Sequence, residues 1–375
     1  MSFFDFFKRK PKEPEPPRTR QDMEKSLTVN DLYTRSIPTA RGTLQHSFQK
    51  KRAPQEDEKK LLKEAFDLLA SVPQGQKLLD EAVKAGYDVH FESFCGSALG
   101  SMSPSSKKIM LSSGHLRNPA VLAITAVHEM THVIQQERTG LLGNQSAGLT
   151  LADQFKFHRA AEAAACTEEA KFAYQIRDQH PEIESRMEGI PMYQAFVKEM
   201  EKSGDMAKAG EACFKAWYSY KHYQTAYEAN HVRSFSSFMN DSFVWKKRGI
   251  DSEAVLNGVF FSEDIRQNIS PDFLTSKEAF SISEKAREQL EAQAAASIGK
   301  KDTSLRNMYS YETGQTYASQ EQPKEAAAAS IAPQRPMTTS TETKTGMRTA
   351  LVQIDKAAKT KQAIAAKAKS QTAQH

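Results

Sequence analysis

Residues 120–140 read AVLAITAVHEMTHVIQQERTG. The two residues before them, Asn118 and Pro119, suit the start of a helix. Asn is a good N-cap, and Pro is tolerated at the first helical position, where the missing N–H costs nothing. Ala120 to Val127 is apolar except for Thr125, so the predicted helix is buried on most sides. Arg138 falls in its last turn and Gly140 suits its C-terminal stop. On this helix His128 and His132, four residues apart, lie one above the other on one face. That spacing lets both imidazoles hold one Zn²⁺, with Glu129 between them as general base on the metal-bound water. Five letters alone are a weak pattern, and the cap, the buried run and the stop give it weight. The plainer alternative is a buried helix with two hydrogen-bonded histidines.

A catalytic zinc site of this kind needs a third protein ligand. Residues 150–179, TLADQFKFHRAAEAAACTEEAKFAYQIRDQ, predict a long helix that starts at Thr150, with Asp153 placed as in a capping box. Around Glu162 the residues Ala160, Ala161, Ala163, Ala164 and Ala165 are all small, which allows another helix to approach closely. A Glu buried there without a partner would be expensive, and a metal removes the expense. Glu162 is therefore the expected third ligand. Its rivals are His158 and Cys166, each one turn away on the same face. His158 sits among Phe155, Phe157 and Arg159, whose bulk would hold the helices apart, and Cys166 would give a softer, oxidisable site. Without a metal, Glu162 would pair with Arg159. Glu168 and Glu169 read as solvent-facing helix charges.

The chain has 375 residues, a formal net charge of +5 and 39% hydrophobic residues. Its mean hydropathy of −0.61 predicts that part of it is unpacked. The mild positive charge carries no clear nucleic-acid signature. Three cysteines, Cys95, Cys166 and Cys213, form neither a disulfide framework nor a CxxC pair, which fits a reducing compartment. No secretory signal and no transmembrane stretch is visible, so a cytoplasmic location is expected, with secretion by a non-classical route left open. Residues 1–55 are expected to be mostly disordered, with a short helix near Val29–Tyr33. Residues 56–290 are expected to form the folded domain, and 291–375 a low-complexity, mostly disordered tail. The Phe/basic start (Phe3, Phe4, Phe6, Phe7, then Lys8, Arg9, Lys10) and the basic C-terminal tail are the candidates for weak membrane or protein contact.

Within the folded part, Glu56–Ala70 and Gln76–Ala85 read as helices separated by a break at Pro73-Gln74-Gly75. Tyr87–Phe91 and Lys107–Ser112 read as a pair of strands, with Cys95–Ser106 a loop between them. An exposed edge of that pair could hold an extended peptide, or the pair could only cover the core. Arg186–Lys202 and Met206–Asn230 read as further helices. The second ends in phenols and imidazoles (Tyr220, His222, Tyr223, Tyr227, with His231 beyond), any of which could serve an oxyanion.

The matches His128, Glu129, His132 and, downstream, Glu162 resemble zincins of the glutamate-ligand type. The metzincin extension is absent, because Gln135 and Arg138 stand where its Gly and third His should be. The layout from Glu56 to Phe280, with Arg159 to Ala163 as an R-x-x-E-A helix, resembles a family of uncharacterised bacterial metallopeptidases. It departs from the commoner second-helix pattern in having Cys166 where an Asp would orient a ligand His. The resemblance implies a mainly α fold with a small β-sheet (α+β), the HExxH helix packed on the Glu-bearing helix. It implies one Zn²⁺ per chain on His128, His132 and Glu162. It also implies hydrolysis of peptide bonds in a peptide or protein substrate, with Glu129 moving the proton. The alternative is a metal-stabilised interaction module, an adaptor or host-directed effector without turnover.

Overall fold

The computed structural model of the chain describes residues 16–39, 42–93, 99–112, 117–142, 149, 151–221, 224, 225, 228, 249–276, 279 and 288. The elements in order are α1 (Arg20–Lys25), β1 (Thr28–Thr39), β2 (Gly42–Arg52), α2 (Glu56–Ala70) and α3 (Pro73–Lys84). Next come β3 (Asp88–Glu92), β4 (Gly100–Ser103), β5 (Lys108–Ser112), α4 (Pro119–Thr139) and α5 (Leu151–Ile176). The chain continues through α6 (Glu182–Met187), α7 (Pro191–Ser203), α8 (Met206–Ser219), α9 (Ser252–Val259), α10 (Glu263–Asn268) and a 3-10 turn at Pro271–Thr275. The architecture is mainly helical with one five-stranded mixed sheet.

Helix α4 begins and ends where local chemistry places it. The Asn118 side chain accepts from the N–H groups of Ala120 and Val121, and Pro119 takes the first helical position. Gly140 closes the helix in the left-handed region at φ 64°, which a residue without Cβ adopts at no steric cost. Between them Leu122, Ala123, Ala126, Val127, Met130 and Val133 are fully buried. Helices α2, α3 and α5 pack on α4, and α8 packs on α5. The alanines around Glu162 on α5 are buried, as small side chains between packed helices should be.

The sheet runs β2-β1-β3-β5-β4. Strands β1, β3 and β5 are parallel to one another, while β2 and β4 flank them antiparallel. Val29, Val89, Phe91, Ile109 and Leu111 turn one face into the core. The expected strand pair β3 and β5 is therefore not a hairpin. The chain passes beyond β5 to form β4 at the edge, then returns through a turn with Lys107 at φ 47°. Residues 100–103, expected as loop, escaped reading because Gly-Ser-Met-Ser has no apolar alternation.

The stretch before Glu56 also differs from the disordered segment and short helix expected of it. β1 occupies Val29–Tyr33 as a strand, paired in parallel with β3 over Thr28–Asn30 and antiparallel with β2 along its length. Met23, Leu27 and Val29 are buried. Ladder hydrogen bonds and these few apolar anchors hold a segment whose composition alone predicts no core. Tyr33 and Phe48 stack across the ribbon at 5.8 Å and remain exposed.

Three smaller differences have local causes. α3 starts at Pro73 rather than Gln76, because Pro fits the first turn. Gly75 is no breaker: a Cβ there would stand 2.3 Å from the Leu69 carbonyl oxygen. The expected helix Arg186–Lys202 is divided into α6 and α7, with Pro191 opening the second. The helix expected from Met206 to Asn230 leaves helical geometry at Tyr220. Thr150, Cys95, His222, Tyr223, Tyr227, His231 and the tail 291–375 lie outside the described residues, as do residues 1–15.

Candidate metal centre

α4 carries His128, Glu129 and His132 against α5, and the four-residue spacing brings the two imidazoles edge to face at 4.8 Å between ring centres. Their Nε2 atoms lie 3.2 Å apart. Glu162 faces both from α5, with one carboxylate oxygen 3.6 Å from His128 Nε2 and the other 3.6 Å from His132 Nε2. Four ligand atoms placed tetrahedrally about zinc at 2.0–2.1 Å are separated by about 3.3 Å. The two imidazole nitrogens and one oxygen of Glu162 lie within 4.8 Å of one another, an N, N, O set able to hold a metal ion. His128, His132 and Glu162 form one of two groups able to hold a cation among the described residues. The other is His128, Cys166 and Glu169.

Behind each imidazole stands a different partner. His128 Nδ1 lies 3.1 Å from Glu169 Oε2, and His132 Nδ1 lies 2.8 Å from Gln135 Oε1. Gln135 in turn donates from Nε2 to the carbonyls of Ala161 and Val259, each at 2.9 Å. The sequence reading missed both partners. Glu169 follows Glu162 by seven residues, two turns along the same helix face, and that spacing was the available signal. Gln135 follows His132 by three, one turn along α4, and lies outside the HExxH pattern.

Glu168 is likewise no solvent-facing charge. It is fully buried and accepts from the backbone N–H and hydroxyl of Ser262, both at 2.7 Å, and from Gln74. Arg159 is fully buried too; it meets Glu228 at 2.9 Å and donates to the Ala279 carbonyl. Lys171 adds a hydrogen bond to Ser262 at 3.0 Å.

Electrostatics follow from burial and these neighbours. Burial opposes charge on His128, but the Cys166 thiol and the carboxylates of Glu162 and Glu169 outweigh it and raise its pKa well above the usual imidazole range. Burial likewise opposes charge on His132, and Glu162 raises it overall. Burial would raise Glu162, yet the two imidazoles hold it well below the usual carboxylate range. Burial pushes Glu129 up to about 7, against the opposing pull of His128 and His132. Burial pushes the Cys166 thiol up to about 11 and drives His158 down to about 4.

Glu129 lies beneath the edge strand β4. A Cβ added to Gly100 would stand 2.6 Å from Glu129 Oε1 and 2.9 Å from Thr125 Cγ2, so only glycine lets β4 pass this close to α4. Tyr220 is the one proposed oxyanion candidate within the described residues. It packs, partly buried, against the core.

A family model described as "Putative metallopeptidase family (DUF6782)" matches residues 40–248, more than half of the chain. The chain belongs to this family. Comparison with curated proteins and with solved structures gave no match. The metallopeptidase match takes in β3, β5, α4 and α5, hence His128, Glu129, His132, Glu162 and Glu169. It ends before α9, whose Val259 carbonyl holds Gln135. Among the described residues no helix is long and apolar enough to cross a membrane.

Proposed function

We propose that the chain is a zinc-dependent metallopeptidase with a zincin-like arrangement, in which His128, His132 and Glu162 hold one Zn²⁺ and Glu129 is the general base. The observation that carries the reading is the meeting of His128 Nε2, His132 Nε2 and Glu162 at 3.2–3.6 Å beside a buried carboxylate. A bound zinc ion would supply Lewis acidity to a scissile carbonyl and to water.

The rest is done by the protein's own groups. Glu162 brings negative charge to the two neutral imidazoles, which suits a divalent cation. Glu169 and Gln135 hold the Nδ1 sides of the histidines and leave Nε2 for the cation. Glu129, buried beside the two histidines, takes the proton of the attacking water and passes it to the leaving amine. Among the described residues strand β4 is the sheet edge beside Glu129, and an edge strand can align an extended peptide.

The test is Glu129→Gln, whose amide cannot accept the proton. The variant should keep about one zinc per chain and the wild-type fold while hydrolysis of a peptide library falls by about a hundred- to ten-thousandfold, the scale of lost general-base catalysis. Zinc-loaded wild type as inactive as Glu129→Gln would point instead to a metal-stabilised interaction module. Wild type that binds no zinc would end the reading.

A further inference from the structure

We propose that Gln135 is a positioning residue that fixes His132 as the Nδ1–H tautomer, so that the Nε2 lone pair is the one offered to a cation. The proposal rests on the metallopeptidase reading and assigns a residue that the HExxH motif does not contain. Gln135 is fully buried on α4. Its amide nitrogen meets two backbone carbonyls, Ala161 of α5 and Val259 at the end of α9, both at 2.9 Å. Carbonyl oxygens only accept, so the NH₂ end must face them, and both of its protons are used. The amide oxygen is thereby turned toward His132 Nδ1 at 2.8 Å. An amide oxygen also only accepts, so Nδ1 carries a proton. In a neutral ring the other nitrogen, Nε2, is then bare. That is the nitrogen 3.2 Å from His128 Nε2 and 3.6 Å from Glu162.

The orientation is thus dictated by the main chain of two other helices. α9 is seated to do this. Val255, Leu256 and Val259 are buried, and Arg138 donates to the Phe260 carbonyl. Gly258 lies so close to α4 that a Cβ would stand 2.4 Å from Thr139 Cγ2. A segment beyond the family match thereby reaches the candidate ligand through one amide.

The full-length chain with ¹⁵N-labelled imidazoles tests this. In metal-free wild type, at an alkaline pH where the ring is neutral, His132 should carry its proton on Nδ1. Gln135→Leu should show mixed tautomers and a zinc affinity, by chelator competition, lower by about 10–100-fold. Gln135→Glu keeps an acceptor for Nδ1–H but cannot serve both carbonyls. It should retain the wild-type tautomer and most of the zinc affinity even though its stability falls like that of Gln135→Leu. A purely structural staple would make the two variants alike in affinity and overturn the proposal. So would a wild-type spectrum with the proton on Nε2, which decides the matter even if neither variant folds. An Nδ1–H wild type that binds no zinc supports the tautomer assignment and removes only the metallopeptidase reading. Zinc binding by a chain with the Nε2–H tautomer does the reverse.

Discussion

The two imidazoles of the candidate centre are equivalent in the motif and unlike in their support. His128 is backed by a charged carboxylate near the rim, Glu169, whose side chain keeps 22% of its surface exposed. His132 is backed by a neutral amide in the interior, Gln135, with none. The wall behind His132 is built of carbonyl oxygens from Ala161 and Val259. A carboxylate there would be an anion facing acceptors in a dry environment, at a cost of several kcal/mol. An amide accepts from the ring on one side and donates to the wall on the other. Near the rim solvent lowers that cost, and a carboxylate can give its ring the stronger, charge-assisted hydrogen bond.

The largest effect on zinc is expected at the group both halves share. Glu162→Ala should reduce zinc from about one per chain to a small fraction in elemental analysis, with Cys166→Ser close to wild type. The opposite outcome would move the cation to the group of His128, Cys166 and Glu169 and undo the symmetry assumed for the two rings.

A smaller effect is expected from Glu169→Gln. The amide still accepts from His128 Nδ1, so zinc affinity should fall by about tenfold, and unfolding free energy should move by less than about 1 kcal/mol. Gln135→Leu, by contrast, should lose affinity and stability together, since the interior carbonyls of Ala161 and Val259 each lose the bond from the Gln135 amide. If urea unfolding shows Glu169→Gln to be the more damaging of the two, the contrast between rim and interior is wrong.

The smallest effect on zinc is expected from His158→Gln, whose consequence is acid sensitivity. Burial keeps His158 neutral down to about 4, whereas the unfolded chain titrates it near 6.5. Between these values the unfolded state binds more protons, so stability is lost as pH falls from 6.5 toward 4. The difference between wild type and His158→Gln should change by about 3 kcal/mol across that window. Urea melts of both chains in chelator measure it; parallel curves would show that Glu162 and His132, the charges that act on His158, already compensate.

The sequence by itself determined α4 with its cap and its stop, the histidine pair on one face, and the small-residue surround of Glu162. These depend on rules that act within a few turns of one helix: capping, the four-residue repeat, and the expense of a lone buried carboxylate. The family match supports a metallopeptidase at the level of the whole matched stretch. Only the tertiary structure decided what stands behind the rings. Glu169, read as a solvent charge, turned out to face His128 because α5 crosses α4 at that point. Gln135 acquired its role from carbonyls 26 and 124 residues away in sequence. β4 and the β1–β2 ribbon were invisible for a related reason: their strands are held by ladder hydrogen bonds, which every residue but proline can make and which leave no mark in side-chain pattern. Backbone partners far apart in the chain have no sequence spacing to read, and they set the orientation of the site.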